Sequence, residues 1–225
     1  MQHSSAQAAS LAGENGILPW QGAATLSRAA SVFHRLGHIC LLADRRAEDL
    51  PPPLPEEVAS ARRSADSEGF LIRRAVARAL LGALLEREPG TIRLAADARG
   101  KPVVEGAPLH LSFSARDNLG LIGVGRMPLG IDYEPTLPPA GIPWNLLWAE
   151  ECEALRALAE EARSGAFLSL WRAKEAALKA LGLGFALPPE SVLVHDNWAS
   201  VTGHDARIRL VDVADLGVTL GLQPA

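Results

Sequence analysis

The feature that most constrains the fold is residues 167–185, where two kinds of side chain recur at helical spacing. One set is apolar and predicts a face for the core: Leu170, Ala173, Ala177 and Leu181. The other forms a separate stripe with a Trp between charges: Trp171, Lys174, Glu175 and Lys179. Ser164-Gly165 predicts a cap and turn before this helix, and Gly182 predicts its end. We therefore expect one helix that presents an acid and two bases to an anionic ligand.

Composition places the chain among globular proteins that bury a full core. Its 225 residues are 48% apolar and 21% charged, which suits one large domain or two small ones. The net charge of −4, with no basic run, argues against nucleic acid as the partner. No apolar run reaches the roughly 18 residues that span a bilayer, and the N-terminus lacks a signal pattern. We expect no membrane partner and a cytoplasmic location.

The two cysteines predict neither a disulfide framework nor a metal–thiolate site. Cys40 and Cys152 lie far apart in the chain and no CxxC pair is present. Such isolated thiols are typical of a reduced, cytosolic environment.

Periodicity elsewhere predicts an alternation of helices and short strands. Residues 1–30 show little regular pattern beyond a short strand, and residues 32–42 fit a strand. Residues 70–85 predict an amphipathic helix with Arg73, Arg74 and Arg78 outward. Residues 148–162 predict another helix. Short strands are predicted at residues 91–94, 102–105, 109–114, 119–125 and 129–135, and again between residues 192 and 220.

This order predicts an α+β protein of two similar halves. Helix and strands fill residues 1–125, and strand, helices and strands fill residues 126–225. We expect pseudo-symmetric halves, each a small antiparallel sheet packed with a long helix. The halves share no obvious sequence identity, so the repeat is a structural expectation.

Two acids on the predicted strand 129–135 are the first sign of a site. Asp132 and Glu134 stand at i and i+2, so their side chains share one face with Cα atoms about 7 Å apart. An exposed strand edge explains such a pair equally well. If Glu175 on the predicted helix faces the same point as these two acids, a functional site explains them better than an exposed strand edge.

Three convergent carboxylates require a cation. Two unit charges about 4 Å apart repel by roughly 4 kcal/mol at an effective dielectric near 20. Oxygen-only ligands favour Mg²⁺ over zinc, and Mg²⁺ held by few carboxylates completes its shell with water and phosphate oxygens. This indicates a phosphate-bearing substrate, for which Lys174 and Lys179 would supply countercharge.

Here the sequence resembles a known family. Gly130-Ile-Asp132-Tyr-Glu134 is followed about forty residues later by Trp171-x-x-Lys174-Glu175-x-x-x-Lys179. Together with Gly100-Lys101-Pro102 upstream, these elements resemble the 4′-phosphopantetheinyl transferases of the surfactin-synthetase (Sfp) type. The resemblance extends over about residues 70–185.

The resemblance implies a fold and an activity. The fold would be two pseudo-symmetric α+β halves with coenzyme A in the cleft between them. The enzyme would transfer the phosphopantetheinyl arm of coenzyme A, its co-substrate, to a serine of an acyl or peptidyl carrier protein. The other product would be adenosine 3′,5′-bisphosphate. A chain that carries both halves would suffice as a monomer.

The resemblance also assigns residues. Asp132, Glu134 and Glu175 would hold Mg²⁺ against the coenzyme diphosphate, and Glu175 would take the proton from the attacking serine. Lys179 would stabilise charge developing on the diphosphate, with Lys174 holding phosphate nearby. The expected coenzyme-binding residues are Lys101, Ser112, Ser114, Arg116 and Lys174. A plain turn lysine at 101 and solvated helix lysines at 174 and 179 are the alternatives.

Two departures from the family pattern affect the predicted coenzyme site. Where relatives read N-(I/L/V)-S-H-S, this chain reads His110-Leu-Ser112-Phe113-Ser114, so the histidine that contacts coenzyme is replaced by Phe113. Alternation puts His110 on the other strand face, where it cannot replace that imidazole; Arg116 is a possible substitute donor. Glu68-Gly69-Phe70 lacks an arginine that relatives often carry before the aromatic residue. The candidates to replace it are Arg62, Arg63, Arg73 and Arg74.

Two other functions compete with this one. A family member that binds coenzyme A or a carrier protein without transfer is supported by Phe113. A Mg²⁺ phosphotransferase acting on another nucleotide is disfavoured, because the chain has no recognisable phosphate loop. The loop of residues 135–147, with Trp144, could dock a carrier protein or simply cover the core.

Overall fold

The computed structural model describes residues 13–138 and 140–224. The part of the predicted unstructured N-terminus before residue 13 lies outside them. The chain divides into two compact units, the first ending at Met127 and the second running from Pro128 to Ala225. Among the described residues, no helix is long and apolar enough to cross a bilayer.

Unit 1 packs helices on a mixed sheet. Its helices are α1 (Ala24–Leu36), α2 (Pro55–Ala61) and α3 (Ser67–Leu85). Its strands are β1 (Ile17–Pro19), β2 (His38–Asp44), β3 (Leu94–Ala96), β4 (Pro102–Val104), β5 (His110–Arg116) and β6 (Leu119–Gly125). They are ordered β1-β2-β6-β5-β4-β3, and only β1 and β2 among these described strands run parallel.

Unit 2 packs a long helix on an antiparallel sheet. Its helices are α4 (Ala149–Ala157) and α5 (Glu160–Ala180). Its strands are β7 (Leu129–Tyr133), β8 (Val192–His195), β9 (Trp198–Val201), β10 (His204–Val213) and β11 (Val218–Leu222), ordered β7-β11-β10-β9-β8. These architectures confirm the predicted α+β class.

Several predicted boundaries are wrong for identifiable reasons. Residues 32–42 are not one strand, because α1 continues to Leu36 and Gly37, at φ 76°, turns the chain into β2. The predicted helix 148–162 is two helices, because Leu158 and Ala159 have extended backbone. Consequently α5 begins at Glu160, and Ser164-Gly165 lies inside the helix rather than capping it.

Arg78 was predicted to point outward and instead is fully buried. Its Nε donates to Glu57 Oε1 at 3.1 Å, and its Nη2 donates to the Pro52 carbonyl at 2.6 Å. Its Nη1 donates to the Pro89 carbonyl at 3.3 Å. A buried guanidinium is tolerated where such acceptors satisfy it. Arg78 thus joins α3 to α2 and to the proline segment before it.

Two glycines bring α5 against the sheet of unit 2. Gly130 on β7 and Gly221 on β11 are direct cross-strand partners. A Cβ on Gly130 would overlap the Ala176 carbonyl oxygen and the Ala180 nitrogen, and one on Gly221 would lie 2.8 Å from the Ala176 carbonyl oxygen. The helix backbone therefore rests directly on these strands. This close approach decides which side chains of β7 and α5 meet.

Candidate functional site in unit 2

The centre of the site is an ion pair between β7 and α5. Asp132 stands two residues after Gly130, so its side chain leaves β7 on the face that carries the helix. Lys179 Nζ lies 2.6 Å from Asp132 Oδ1. The Asp132 side chain is 9% exposed and that of Lys179 is 26% exposed. The pair is therefore screened from solvent on its Asp132 side and reachable on its Lys179 side.

Glu175 belongs to the same group. It stands one helical turn before Lys179 and is half-buried. Burial raises the pKa of its carboxyl, nearby Lys179 opposes that rise, and the charge of Asp132 adds to it. Asp132, Glu175 and Lys179 are hereafter called the acid–lysine group. In it, one ammonium faces two carboxyl groups.

Glu134 lies one residue beyond β7, on the same face as Asp132 by strand alternation. Its backbone is held on both sides. The Glu134 N–H donates to the Gly217 carbonyl at 3.1 Å, and the Glu134 carbonyl accepts from Arg172 Nη1 at 3.1 Å. The strand end that carries the second predicted acid is thus fixed.

The carboxyl groups of the acid–lysine group are of the type that binds a magnesium ion. Carboxylate oxygens are the ligands that Mg²⁺ prefers. Burial raises the pKa of Glu175, and the charge of Asp132 adds to this although Lys179 opposes it, so a further cation near the two carboxyl groups would be favourable. Within the described residues, however, no three His, Cys, Asp or Glu side chains already surround a common point where a metal could sit. Asp132 and Glu175 are close enough for their charges to interact, and the ammonium of Lys179 is the positive charge beside them.

Lys174 does not join this group. It is fully buried, and its Nζ lies 2.8 Å from Glu151 Oε1 on α4. The same Nζ donates to the carbonyls of Val192 at 2.7 Å and Pro189 at 3.2 Å. Burial lowers the pKa of Lys174, and Glu151 opposes this. The amine that the motif assigns to phosphate is directed into the core of unit 2.

The predicted coenzyme-binding residues of unit 1 lie along β5 and the turn before β4. Alternation puts Ser112, Ser114 and Arg116 on one face of β5 together with His110. Ser112 is buried, Ser114 is half-buried and Arg116 is exposed. Exposure therefore increases along this face of β5, from Ser112 to Arg116.

Lys101, directly before β4, has a strongly shifted pKa. Burial lowers its pKa to about 8, against the opposing charge of Asp97. The pKa of His110 is lowered by burial and by the charge of Lys101, so the two side chains lie near each other and the imidazole is held neutral. Lys101 is thus the charged member of this pair on the sheet of unit 1.

Phe113, which replaces the family histidine, faces the opposite side and contacts an arginine. The Arg74 guanidinium carbon lies 5.4 Å from the Phe113 ring centroid and 5.0 Å from that of Phe70. Its Nη1 also donates to the Leu94 carbonyl at 3.3 Å. The other three candidates differ: Arg62 and Arg63 are exposed, and Arg73 pairs with Asp66 at 3.4 Å.

Sequence reasoning missed a buried network next to Glu134. Arg172 is 3% exposed, and its Nη2 lies 2.9 Å from Asp212 Oδ1. Asp212 lies on β10 and accepts from Arg172 and Thr219. Spacing carries no signal for this group, since its members are distant in sequence.

Comparisons with known proteins bear on this same unit. Residues 128–209 match the model of the 4′-phosphopantetheinyl transferase superfamily. The matched range holds β7, α4, α5 and every member of the acid–lysine group. The predicted resemblance to this superfamily is thereby confirmed for unit 2.

Two curated proteins are similar to the chain. The 4′-phosphopantetheinyl transferase HetI of Nostoc sp. is 35% identical over 127 residues, which is 52% of this chain and 53% of HetI. The Synechocystis sp. protein slr0495 is named a putative 4′-phosphopantetheinyl transferase. It is 30% identical over 145 residues, which is 61% of this chain and 59% of slr0495. The matches thus span somewhat more than half the length of each relative.

Proposed function

We propose that this protein is a 4′-phosphopantetheinyl transferase of the surfactin-synthetase type. It moves the phosphopantetheine arm of coenzyme A to a serine of an acyl or peptidyl carrier protein and releases adenosine 3′,5′-bisphosphate. The observation that carries the proposal is the acid–lysine group, which the two motifs build from β7 and α5. By the same inference the protein is cytoplasmic and monomeric.

In the proposed reaction, the carrier serine Oγ attacks the phosphorus that bears the pantetheine arm. A new Oγ–P bond forms, and the P–O bond to the nucleotide breaks. Glu175, which lies next to Asp132 and Lys179, would accept the serine proton as general base. Lys179 stabilises the negative charge that develops on the leaving phosphate.

Mg²⁺ is part of this proposal. Asp132, Glu134 and Glu175 would hold the ion, which neutralises diphosphate charge when bound. Lys179 Nζ lies 2.6 Å from Asp132 Oδ1. Lys179, on the more exposed side of this pair, would be the group that binds the coenzyme diphosphate.

For the coenzyme, we propose Lys101, Ser112, Ser114 and Arg116 as contacts and add Arg74. Among the four arginines considered, Arg74 is the one held against Phe113, the residue that replaces the family histidine. Two aromatic rings and one carbonyl restrain its guanidinium, which lowers the entropy lost on binding phosphate. We assign Lys174 a structural role instead, because its amine binds Glu151 and two carbonyls.

The test is transfer to apo carrier proteins. Coenzyme A, Mg²⁺ and a panel of acyl and peptidyl carriers are incubated with the enzyme, and intact mass is measured. We expect a gain of one phosphopantetheinyl group that Asp132→Ala abolishes. The matched control Asp205→Ala removes an exposed acid of β10 and should keep full activity. No mass gain on any carrier would reject the transferase.

Phe113 favours a second candidate, a protein that binds coenzyme A without transferring it. Its ring cannot donate the hydrogen bond of the family histidine. Calorimetry with coenzyme A separates the two: binding with no turnover of any carrier would support the binding protein.

A further inference from the structure

Arg172 is the hub of a buried polar network in unit 2. Four of its contacts are to oxygen: Asp212 Oδ1 at 2.9 Å, Ser169 Oγ at 3.0 Å, the Glu134 carbonyl at 3.1 Å and Thr219 Oγ1 at 3.3 Å. Thr219 in turn donates to Asp212 Oδ1 at 2.6 Å. The guanidinium thus links α5 to the end of β7 and to β10 and β11.

The bond to Glu134 fixes a side-chain direction. β7 pairs with β11 as far as Tyr133 opposite Val218, so Glu134 lies beyond the last cross-strand pair. Its N–H is held by the Gly217 carbonyl and its carbonyl by Arg172. With both flanking peptides restrained, the Cα–Cβ bond of Glu134 has one direction.

The network also reaches the partner of Asp132. Thr219 is the direct cross-strand neighbour of Asp132, and its hydroxyl is held between Arg172 and Asp212. A single buried side chain therefore restrains the strand segment that carries Glu134 and the strand opposite Asp132. Lysine could not replace Arg172, because an ammonium lacks the planar fork of donors that reaches these acceptors together.

We propose that Arg172 is a positioning residue for the metal-binding carboxylates, acting through the Glu134 backbone and Thr219. The inference rests on the proposed function, in which Asp132 and Glu134 hold Mg²⁺. Partners that orient metal ligands typically change metal affinity by about 10- to 100-fold when removed. The donors of Arg172 are bound to protein groups, so its role would be to position the ligands rather than to take part in catalysis.

The experiment compares Arg172→Lys with Asp212→Asn. Binding of Mn²⁺, used in place of Mg²⁺, to the 225-residue chain is measured by electron paramagnetic resonance, alongside thermal unfolding. Arg172→Lys should weaken Mn²⁺ binding by about tenfold, because it loses the reach to the Glu134 carbonyl. Asp212→Asn keeps an acceptor for Arg172, so the Glu134 bond persists and Mn²⁺ affinity should change little while the melting temperature falls.

Arg78→Lys is the matched control. It alters a second buried arginine with one carboxylate and several carbonyl partners, but in unit 1. It should lower the melting temperature and leave Mn²⁺ affinity unchanged. Equal loss of Mn²⁺ affinity in Arg172→Lys and Arg78→Lys, or no loss in either, would overturn the inference.

Wild-type measurements separate this inference from the proposed function. A wild type that binds Mn²⁺ but modifies no carrier would reject the transferase, while the comparison of variants would still decide the role of Arg172. A wild type that binds no Mn²⁺ would overturn the inference together with the metal site.

Discussion

Glu175 shows how a single residue acquires a functional property from its neighbours. Its side chain is half-buried near Asp132, and both burial and that charge favour its protonated form. Lys179 offsets only part of this. An ionised Glu175 therefore lowers the stability of the folded protein.

We predict that Glu175→Gln stabilises the metal-free protein at neutral pH. A carboxyl whose pKa is raised in the folded state has no effect well below its ordinary value near 4.5, where both states are protonated. As pH rises through the raised pKa, ionisation disfavours the folded state. The difference in melting temperature between Glu175→Gln and wild type should therefore grow from pH 4.5 to 7. Glu153→Gln, an exposed acid on α4, should show no such growth, and a flat difference for Glu175→Gln would contradict the prediction.

At the scale of elements, the site depends on the distance between α5 and β7. Gly130 and Gly221 remove two side chains where the helix backbone touches the sheet. This contact, together with the period of each element, brings Lys179 to Asp132 across 47 residues of sequence. The glycine of the G-I-D-x-E motif thus has a packing role in addition to any other.

We predict that Gly130→Ala destabilises unit 2 by about 3 kcal/mol, since a methyl group would overlap backbone atoms of Ala176 and Ala180. Urea unfolding measures the change. Gly165→Ala is the matched control on the exposed face of α5, where an added methyl meets nothing within 4 Å. It should instead stabilise the protein by about 0.5 to 1 kcal/mol. Similar effects of the two substitutions would show that close packing at Gly130 is not decisive.

We also predict that Lys174→Met lowers the free energy of unfolding by about 3 to 5 kcal/mol, because it leaves the buried Glu151 carboxylate without its partner. Lys179→Met, at a more exposed lysine, should lower the free energy of unfolding less than Lys174→Met does and should reduce transfer activity more. Calorimetric unfolding and the transfer assay measure the two effects. A stable Lys174→Met with weakened coenzyme binding would return Lys174 to the phosphate role that its motif suggested.

The whole molecule consists of two units of the same class but different sheets. The described sheet of unit 1 contains a parallel pair, β1 and β2, whereas that of unit 2 is antiparallel throughout its described strands. Unit 2 carries the acid–lysine group, and unit 1 carries the residues proposed for the coenzyme. Each unit has its own buried arginine network, centred on Arg78 and on Arg172.

We predict that coenzyme A and Mg²⁺ together raise the melting temperature of the whole chain. A ligand that binds only the folded state stabilises it by about 2.7 kcal/mol at 100 times its dissociation constant. Coenzyme lacking the 3′-phosphate should give a smaller shift if Arg74 and Lys101 bind that group. Differential scanning fluorimetry measures both shifts. An unchanged melting temperature with coenzyme A and Mg²⁺ would contradict the proposed binding of both.

Local pattern was sufficient wherever a residue's surroundings are close in sequence. The strand 119–125 and the helix starting near residue 70 were predicted closely, because periodicity and turn residues define them. That Asp132 and Glu175 share one site was an expectation that depended on how the helix faces the strand, because the two residues are distant in sequence. Element boundaries failed at Gly37 and at Leu158, where a backbone conformation rather than hydrophobic spacing ends the element.

By itself the sequence determined the α+β class, the acids at the end of β7 and the i, i+4 spacing of Glu175 and Lys179 on α5, because these follow from local period and residue chemistry. Only the tertiary structure decided that Lys174 faces Glu151, that Arg78 is buried and that Arg172 holds the Glu134 carbonyl. Those outcomes depend on which acceptors distant segments bring to a long, flexible side chain. A buried cation takes the partners that satisfy its charge, and no spacing rule names them in advance.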